Sequence, residues 1–448
     1  MRHPGLLATL FRPDGYEAKL TLGTKLKQPL TTMADHFDLL ETRDPEARER
    51  ALFAALPAQL AYAKTHAAAY ARLLRDVDPA TVTSRAELAR LPVIRKPELV
   101  ELQKADHPFG GFAASGWGNA RRRARLVFAS PGPLYEPEGE TVDYWRLARS
   151  LFAAGFRAGD LVHNCFSYHF TPGGAMLEGG AQALGCTVFR GGTGQTEQQV
   201  QAMAELRPDG YVGTPSFMKI ILEKAEEQKV ALQSLKKALV SGEAFPASLR
   251  DAFGARGIAA YQVYASADLG TIAYESQARE GLIVDEGVLI EIVRPGTSEP
   301  LAEGEVGEVV VTLLANADYP LIRFGTGDMS AVLPGTSPCG RTNMRIKGWL
   351  GRADQTTKVK GMFVHPSQVA SIVRRHPEIL KARLVVDNPE GNDRMTLHVE
   401  VAGNASSDAN ALVATMRDVT KLRGEVGFHA PGTLAEDGKV IDDVRKYV

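Results

Sequence analysis

Between residues 161 and 240, short apolar runs alternate with segments of helical periodicity, and this alternation constrains the fold more than any other feature. The runs have the length and apolar content of strands, and they read DLVHNCF, CTVFRGG, PDGYVGTP and KKALVSGEA. Strands that alternate with helices form a parallel sheet whose faces the helices cover. Ligands bind such sheets beyond the carboxyl ends of the strands, so the loops after these runs are the first candidates for a site.

Three other regions surround this core and complete an α/β chain. Residues 45–74 carry apolar residues at the spacing of amphipathic helices, which predicts a helical start over residues 1–100. After about residue 280 apolar and polar residues alternate with period two, which is typical of antiparallel strands and predicts a small β subdomain at about 281–350. The last hundred residues mix strand and helix patterns, and we place a domain boundary near the GRADQ stretch that starts at Gly351.

The bulk composition excludes several classes of function. A chain of 448 residues is long enough for about two or three domains. Its formal net charge of -1 offers no general attraction to nucleic acid or to an anionic membrane. No apolar run approaches the ~20 residues that span a bilayer, and the first residues lack the pattern of a signal peptide. The three cysteines are far apart, so we expect a reducing, cytoplasmic location without disulfides or a structural zinc.

Two short stretches carry candidate chemistry. In IRFGTGDMS, Asp328 follows a strand and a Thr-Gly turn, where a carboxylate can accept hydrogen bonds from a diol such as a ribose. The alternative is a turn aspartate that caps its own backbone. In TLAEDGKVIDDV, Lys439 follows a turn, and its alternative is an ordinary solvated surface lysine.

Several pieces of this chain resemble one family when they are taken in order. The first four are ELARLPVIRKPELV, TPSFMKIILEKA, SGEAFPASLRDAF and YQVYASADLG. The next are GEVGEVVVT, IRFGTGDMS, the CGRT and GRAD pair, and EDGKV. Their order across about residues 85–448 resembles that of the phenylacetate–CoA ligase family, within the adenylate-forming acyl-CoA synthetase and luciferase superfamily. Each piece is weak by itself, and the shared order makes the resemblance specific.

The resemblance implies a fold and a reaction. The fold is a large N-terminal adenylate-forming domain over residues 1–353, followed by a small mobile α+β lid domain over residues 354–448. The reaction is the adenylation of an aromatic or small organic acid by ATP, followed by thioester formation with coenzyme A and release of AMP. ATP, AMP, Mg²⁺ and coenzyme A are the implied cofactors. A nucleic acid or membrane partner is not expected, and a homodimer stays open because the family often dimerises.

The resemblance also assigns roles to individual residues. Lys439 corresponds to the adenylation lysine, Asp354 to the hinge between the domains, and Asp268 to the carboxylate that holds magnesium. The nucleotide set consists of Ser241, Gly242, Glu243, Ala244, Gln262, Tyr264, Ser266, Asp328 and Arg352. The loop that faces the active site during thioester formation contains Lys358, Lys360 and Gly361. The aromatic segment beside the acyl pocket contains Tyr168, His169 and Phe170.

The chain departs from the family pattern at the phosphates. The family's phosphate loop is rich in Ser, Thr and Gly and ends near a lysine, whereas here the place reads FASPGPLYEPEG and keeps only Ser130 and Gly132. Asp268 is one methylene shorter than the usual glutamate, and Ala267 replaces the usual hydroxyl residue. In one interpretation the loop is remodelled and active, with donors from Tyr135, Thr141 or the basic run at residues 121–123.

Two further alternatives stay open at this point. The chain could deliver its activated acyl group to a carrier protein or an amine in place of coenzyme A. It could also be a non-catalytic homologue that binds a nucleotide or acyl-CoA without turnover, which is what a degraded phosphate loop would suggest.

Overall fold

The structure is a computed structural model that describes residues 36–118, 120–350, 352–353, 357–364, 366–389, 392–401, 408–435 and 439–445. The first part of the predicted helical start and the predicted hinge residue Asp354 lie outside these ranges. Among the described residues, no helix is long and apolar enough to cross a membrane.

The described part of the N-terminal hundred residues is mainly helical. It contains 3-10 turns at Leu39–Thr42 and Pro79–Thr81, α1 (Pro45–His66), α2 (Ala68–Leu73), α3 (Arg85–Leu88), β1 (Ile94–Arg95) and α4 (Lys96–Ala105). Helix α1 begins where the Asp44 side chain accepts a hydrogen bond from the backbone of Ala47, with Pro45 in the first turn. Its buried Leu56 and Leu60 belong to a core that also includes the strands after residue 282.

The chain then forms a hairpin and a long series of strands. In chain order the strands are β2 (Leu126–Ser130), β3 (Leu134–Glu138), β4 (Leu161–Asn164), β5 (Thr187–Arg190), β6 (Gly210–Gly213), β7 (Lys237–Val240), β8 (Ala259–Ser266), β9 (Gly270–Tyr274), β10 (Leu282–Val284), β11 (Val288–Val293), β12 (Gly307–Leu313), β13 (Phe324–Ser330), β14 (Val332–Leu333) and β15 (Arg345–Ile346). The helices among them are α5 (Leu147–Ala153), α6 (Gly173–Ala183), α7 (Thr196–Leu206), α8 (Pro215–Glu227) and α9 (Ala247–Ala255).

The predicted strand–helix alternation builds the centre of a nine-stranded sheet. Its strand order is β14-β15-β10-β9-β8-β7-β6-β4-β5. Strands β4 to β8 pair in parallel, and β8 pairs with β9 in antiparallel fashion. Tyr211 and Val212 are consecutive on β6 and belong to different core clusters, so both faces of the sheet are buried. The turns after β6 and β7 therefore open at the edge where a parallel sheet binds ligands.

The strands expected to form one small β subdomain at 281–350 are divided between two sheets. Strands β11, β12 and β13 form a four-stranded sheet together with β1, in the order β1-β13-β12-β11. Strands β10, β14 and β15 extend the nine-stranded sheet. The short β1 comes from the helical start and pairs in parallel with β13, which joins the beginning of the described chain to this region.

The last part of the chain has its own sheet and its own core. Its elements are β16 (Thr357–Val359), β17 (Met362–Val364), α10 (Pro366–Arg375), β18 (Ile379–Asp387), β19 (Arg394–Val401), α11 (Ala409–Thr420), β20 (Glu425–His429) and β21 (Ile441–Asp443). The sheet order is β20-β19-β18-β21, and Leu384, Leu397 and Leu412 lie in one buried cluster. A separate core of this kind supports the division of the chain near residue 354, which remains a proposal.

Candidate active site

Asp328 lies on β13 and is the centre of a compact polar cluster. The Tyr264 hydroxyl donates to Asp328 Oδ2 at 2.9 Å, and the Trp349 indole donates to Oδ1 at 3.1 Å. Arg352 Nη1 lies 2.9 Å from the same Oδ1. Burial and the neighbouring Asp328 charge raise the pKa of Tyr264 well above its ordinary value, so its hydroxyl stays protonated and acts as a donor. The structure thus brings the side chains of Tyr264, Trp349 and Arg352 together around the carboxylate of Asp328.

Trp349 is a member of this cluster that sequence reasoning did not identify. It stands in KGWLGRAD, three positions before Arg352. The sequence feature that could have identified it is an aromatic residue close to an arginine with a predicted role. Asp328 and Arg352 also form an isolated antiparallel β-bridge. The bridge holds the backbone of Arg352 against β13, and this explains why the guanidinium meets the carboxylate.

The turn from Ser241 to Ala244 follows β7 at the ligand-binding edge of the sheet. Ser241 Oγ donates to the carbonyl of Val263 at 2.7 Å, which ties the turn to the neighbouring strand β8. Gly242 has a φ of 85°, a conformation that favours glycine. The Glu243 carboxylate accepts from the backbone N–H of Ser216 at 2.6 Å. These contacts fix the backbone of the turn on both sides.

Two more residues of the predicted nucleotide set lie on β8. The backbone N–H of Gln262 donates to the Glu275 carboxylate at 3.1 Å. Ser266 Oγ accepts from the backbone N–H of Leu269 at 3.2 Å and shapes the turn that carries Asp268. Gln262 and Ser266 therefore lie on the same strand as Tyr264. The hydrogen bonds described for them are made with Glu275 and Leu269.

The hairpin β16–β17 reaches the turn after β7 from the C-terminal part of the chain. Lys358 Nζ donates to the carbonyl of Gly242. Burial lowers the pKa of Lys358, against the opposing charges of Glu243 and Asp328. Lys360 and Gly361 form the exposed tip of the hairpin, and Lys360 N–H donates to Asp393 Oδ2 at 2.8 Å. Of the predicted loop residues, Lys358 is thus the one that contacts the turn at 241–244, which is called the nucleotide turn below after its predicted role.

Lys439 lies two residues before β21, outside the sheet of the C-terminal part. Its ammonium lies 2.8 Å from Asp442 Oδ1, and its side chain is half exposed. Asp442 also lies 3.9 Å from Arg383 on β18. In the described conformation it is Lys358 that contacts the turn after β7. The contact shown for Lys439 is with Asp442, a carboxylate three positions further along the chain.

The FASPGPLYEPEG stretch forms the hairpin β2–β3, whose strands are in register from Leu126 with Glu138 to Ser130 with Leu134. The backbone N–H and the hydroxyl of Ser130 both donate to the buried Glu136. An added Cβ at Gly132 would lie 3.2 Å from Leu134 N, so the turn is compact at this point. The predicted phosphate loop is thus a hairpin whose Ser130 is engaged by the buried carboxylate of Glu136.

Asp268 meets a lysine from another part of the chain. Its Oδ2 lies 2.9 Å from Lys96 Nζ, and Asp268 is buried whereas the Lys96 side chain is 26% exposed. Asp268 Oδ1 is buried and has no hydrogen-bond partner among the described residues. Sequence reasoning missed Lys96, although it stands in the quoted ELARLPVIRKPELV piece.

The charges around Asp268 act strongly on one another. Burial and repulsion by Asp268 raise the pKa of Glu136 to about 8, against the attraction of Lys96. Burial alone lowers the pKa of Lys96, but the charges of Asp268 and Glu136 outweigh it, so the pKa of the ammonium is raised. Lys96 is therefore a positive charge held between two acidic side chains.

The carboxylate of Asp268 fits a magnesium ion. A buried oxygen without a protein partner is a suitable ligand for this hard cation. No group of three or more His, Cys, Asp or Glu side chains in the described ranges is arranged to hold a metal. A magnesium ion at Asp268 would therefore take its other ligands from phosphate oxygens and water.

The aromatic segment after β4 lies next to the hairpin β2–β3, since Ala129 N–H donates to the carbonyl of Phe170 at 2.8 Å. Tyr168 is partly buried and accepts a hydrogen bond from Asn164 at 2.8 Å. His169 is exposed, and the Phe170 side chain is 81% exposed. An added Cβ at Gly242 would lie 3.7 Å from the Phe166 ring, so this earlier aromatic residue is the one that reaches the nucleotide turn.

One of the alternative phosphate donors is already engaged. Arg122 Nε lies 2.7 Å from the buried Asp318. The backbone N–H of Tyr135 donates to the Gln103 side chain at 2.8 Å. In the ion pair that the structure shows for Asp268, the cation is Lys96.

Comparison with known proteins shows the family to which this chain belongs. A family model described as AMP-binding enzyme matches residues 142–313. The phenylacetate–coenzyme A ligase of Thermus thermophilus is 33% identical over 362 residues, covering 77% of this chain and 79% of that protein. This chain belongs to the phenylacetate–CoA ligase family. The family's enzyme from Aromatoleum evansii is 32% identical over 347 residues, covering 74% of this chain and 76% of that protein.

Solved structures agree with this fold. A 2-hydroxyisobutyryl-CoA ligase, in complex with 2-HIB-AMP and CoA in the thioesterification state, matches with a TM-score of 0.77 at 24% identity, covering 91% of this chain and 92% of that chain. The same ligase with 2-HIB-AMP in the postadenylation state matches with a TM-score of 0.67, covering 93% and 94%. Both the fold class and the membership of the phenylacetate–CoA ligase family predicted from the sequence are confirmed.

Proposed function

We propose that the chain is an AMP-forming acid–CoA ligase that adenylates an aromatic or small organic acid and transfers the acyl group to coenzyme A. The observation that carries the proposal is the convergence of Tyr264, Trp349 and Arg352 on Asp328, beside the turn after β7. A carboxylate oriented by three donors in this way keeps one lone-pair site, on Oδ2, for a ribose hydroxyl. Family membership supplies the reaction class.

In the first step an oxygen of the acid's carboxylate forms a bond to the α-phosphorus of ATP. The bond from this phosphorus to the bridging oxygen breaks, and pyrophosphate leaves with the electron pair. Asp328 and the turn at 241–244 hold the nucleoside in place, so the reaction becomes effectively unimolecular. We assign to Lys439 the point charge at the α-phosphate, and a magnesium ion held by Asp268 would neutralise the leaving group.

In the second step the thiol of coenzyme A loses its proton to solvent, and its sulfur forms a bond to the acyl carbonyl carbon. The bond from this carbon to the phosphate oxygen breaks, and AMP leaves with the electron pair. The contact of Lys358 with Gly242 places the hairpin β16–β17 at the nucleotide turn, while Lys439 pairs with Asp442. This arrangement supports the proposal that the described conformation is that of thioester formation. A lid that presents Lys439 for one step and Lys358 for the next requires a hinge, for which Asp354 remains the proposed residue.

For the acid substrate we propose a chemical class and not a single compound. Phe166 and Tyr168 lie on the segment beside the nucleotide turn and favour a compact or aromatic acyl group. We propose that Tyr168, His169 and Phe170 border the acyl site as the family resemblance implies. The large exposed fraction of Phe170 means that its ring would cover an acid only if the segment or a neighbouring element moved.

The test is ATP–pyrophosphate exchange with magnesium across aromatic, short aliphatic and hydroxylated acids, followed by chromatography of the products with coenzyme A. We expect exchange with at least one acid and an acyl-CoA product with the same acid. Exchange without an acyl-CoA product would point to a carrier protein or an amine as acceptor. Tight AMP binding with silence for every acid would contradict the ligase and favour the non-catalytic homologue.

A further inference from the structure

The position of Lys96 is fixed by strand pairing. Strand β1 pairs in parallel with β13, with Ile94 opposite Phe324 and Arg95 opposite Gly325. Lys96 follows directly, so its backbone lies beside the strand that carries Asp328 a few residues further on. Arg95 is held by an ion pair with the buried Glu308, at 2.9 Å. The lysine therefore starts from a rigid element and not from a flexible surface loop.

The tip of Lys96 is partly exposed beside Asp268. Its ammonium is 2.9 Å from the buried Asp268, and the side chain retains an exposed fraction of 26%, so it can face a ligand as well as the carboxylate. Helix α4, which begins at Lys96, contacts both β3, the strand of Glu136, and β13, the strand of Asp328. Lys96 thus begins a helix that packs against the predicted phosphate hairpin and against the strand of the Asp328 cluster.

The charge balance requires a cation at this place. The hairpin stretch from Leu126 to Glu138 contains no lysine or arginine and contributes Glu136 instead. The buried carboxylate of Asp268 would repel a triphosphate, and burial strengthens such repulsion because the local dielectric is low. An ammonium is a compact, strongly charged donor suited to phosphate oxygens.

We propose that Lys96 binds the β- and γ-phosphates of ATP and the departing pyrophosphate, and so replaces the lysine that the phosphate hairpin lacks. The proposal rests on the proposed adenylation. As the α-phosphorus bond to the bridging oxygen breaks, negative charge grows on pyrophosphate, and the Lys96 ammonium neutralises it without a proton transfer. Asp268 orients the ammonium through their ion pair.

The test compares ligands that differ only in these phosphates. In Lys96→Met, calorimetry with magnesium should show at least a tenfold loss of affinity for ATP and for pyrophosphate, while the affinity for AMP stays within twofold. Lys104→Met is the matched control, because Lys104 lies on the same helix α4 and forms an exposed pair with Glu101. Lys104→Met should bind ATP, pyrophosphate and AMP with the affinities of the unmodified protein.

A second measurement uses the unmodified protein and covers the case in which Lys96→Met does not fold. Amine acetylation followed by peptide mass spectrometry should show that ATP and pyrophosphate protect Lys96 several-fold more than AMP does. Equal protection by AMP, or an equal loss of AMP and ATP affinity in the variant, would overturn the proposal and leave Lys96 as a support of the pocket. Neither measurement needs an acid, so failure of the ligase assay remains distinguishable from failure of this assignment.

Discussion

At the scale of single residues, Asp328 illustrates how a weak sequence signal becomes a strong structural one. A turn aspartate has many possible uses, but this one receives donors from Tyr264, Trp349 and Arg352. The side chain of Asp328 is 17% exposed, so the oriented carboxylate still faces the site. An aspartate that capped only its own backbone would not gather donors from two distant segments, β8 and the stretch after β15.

We expect Asp328→Ala to weaken AMP binding by about tenfold or more. The loss of hydrogen bonds between a charged acceptor and the ribose is about 1.5–3 kcal/mol, and 1.4 kcal/mol corresponds to a factor of ten. Calorimetric titration with AMP measures this change. Asp387→Ala, which removes a carboxylate from a partly exposed pair with Arg394, serves as the control. AMP affinity within twofold of the unmodified protein would contradict the ribose assignment.

We expect Lys439→Ala to reduce acyl-adenylate formation by about 10²–10³-fold, the usual effect of removing a group that stabilises developing charge. Stability should change little, because the pair of Lys439 with Asp442 is partly exposed. ATP–pyrophosphate exchange measures the first step, and conversion of a supplied acyl-adenylate measures the second. Lys421→Ala, an exposed lysine paired with Asp418, is the control. Near-normal exchange in Lys439→Ala would remove Lys439 from the reaction.

At the scale of elements, the hairpin β16–β17 depends on the end of the described chain. The Arg445 side chain is 5% exposed. It donates to the carbonyl of Lys358 at 2.7 Å and to Thr357 Oγ1 at 2.9 Å. Ion pairs with Asp393 and Asp443 hold the guanidinium. Arg445 is therefore a positioning residue for the hairpin that carries Lys358 to the nucleotide turn.

We expect Arg445→Ala to slow thioester formation by about tenfold while ATP–pyrophosphate exchange stays within about twofold. The reason is that small displacements of a positioned group are costly when the reacting geometry must be held closely. Conversion of a supplied acyl-adenylate with coenzyme A is the decisive measurement. Arg394→Ala changes an arginine of the same region whose pair is half exposed, and it should leave both steps intact. Equal losses in both half-reactions would assign Arg445 to stability alone.

At the scale of the whole molecule, Arg323 joins the helical start to the four-stranded sheet. It is fully buried and pairs with Glu291 through two hydrogen bonds, at 2.9 and 3.0 Å. Its Nη1 also donates to the carbonyl of Ala89 at 2.7 Å and to that of Leu91. One side chain thus connects β11, the turn before β1 and the beginning of β13.

We expect Arg323→Ala to lower the free energy of unfolding by about 3–5 kcal/mol, since it leaves Glu291 as an unpaired buried charge. Urea unfolding with and without AMP measures the loss and shows whether the nucleotide site survives. Arg294→Ala, whose pair with Glu299 is largely exposed, should cost about 0–1 kcal/mol. A similar small loss in both variants would show that the Arg323 network is not a major support of this region.

Local pattern in the sequence determined the fold class and the family. The alternation at 161–240 predicted the parallel core of the nine-stranded sheet, because strand and helix periodicities are properties of neighbouring residues. The ordered motifs identified the adenylate-forming family, and they led to Asp328, Tyr264 and Arg352, which the structure brings together. Their roles, and those of Lys439 and Asp354, remain predictions for the experiments above.

Only the tertiary structure decided how distant segments meet. The strands at 281–350 are shared between two sheets because burial selects their partners, and β1 completes one of these sheets from the helical start. Lys96 and Asp268 are 172 residues apart and form an ion pair 2.9 Å long. No periodicity or local motif encodes such a contact, since it follows from the pairing of β1 with β13 and from the electrostatic need of a buried carboxylate for a cation.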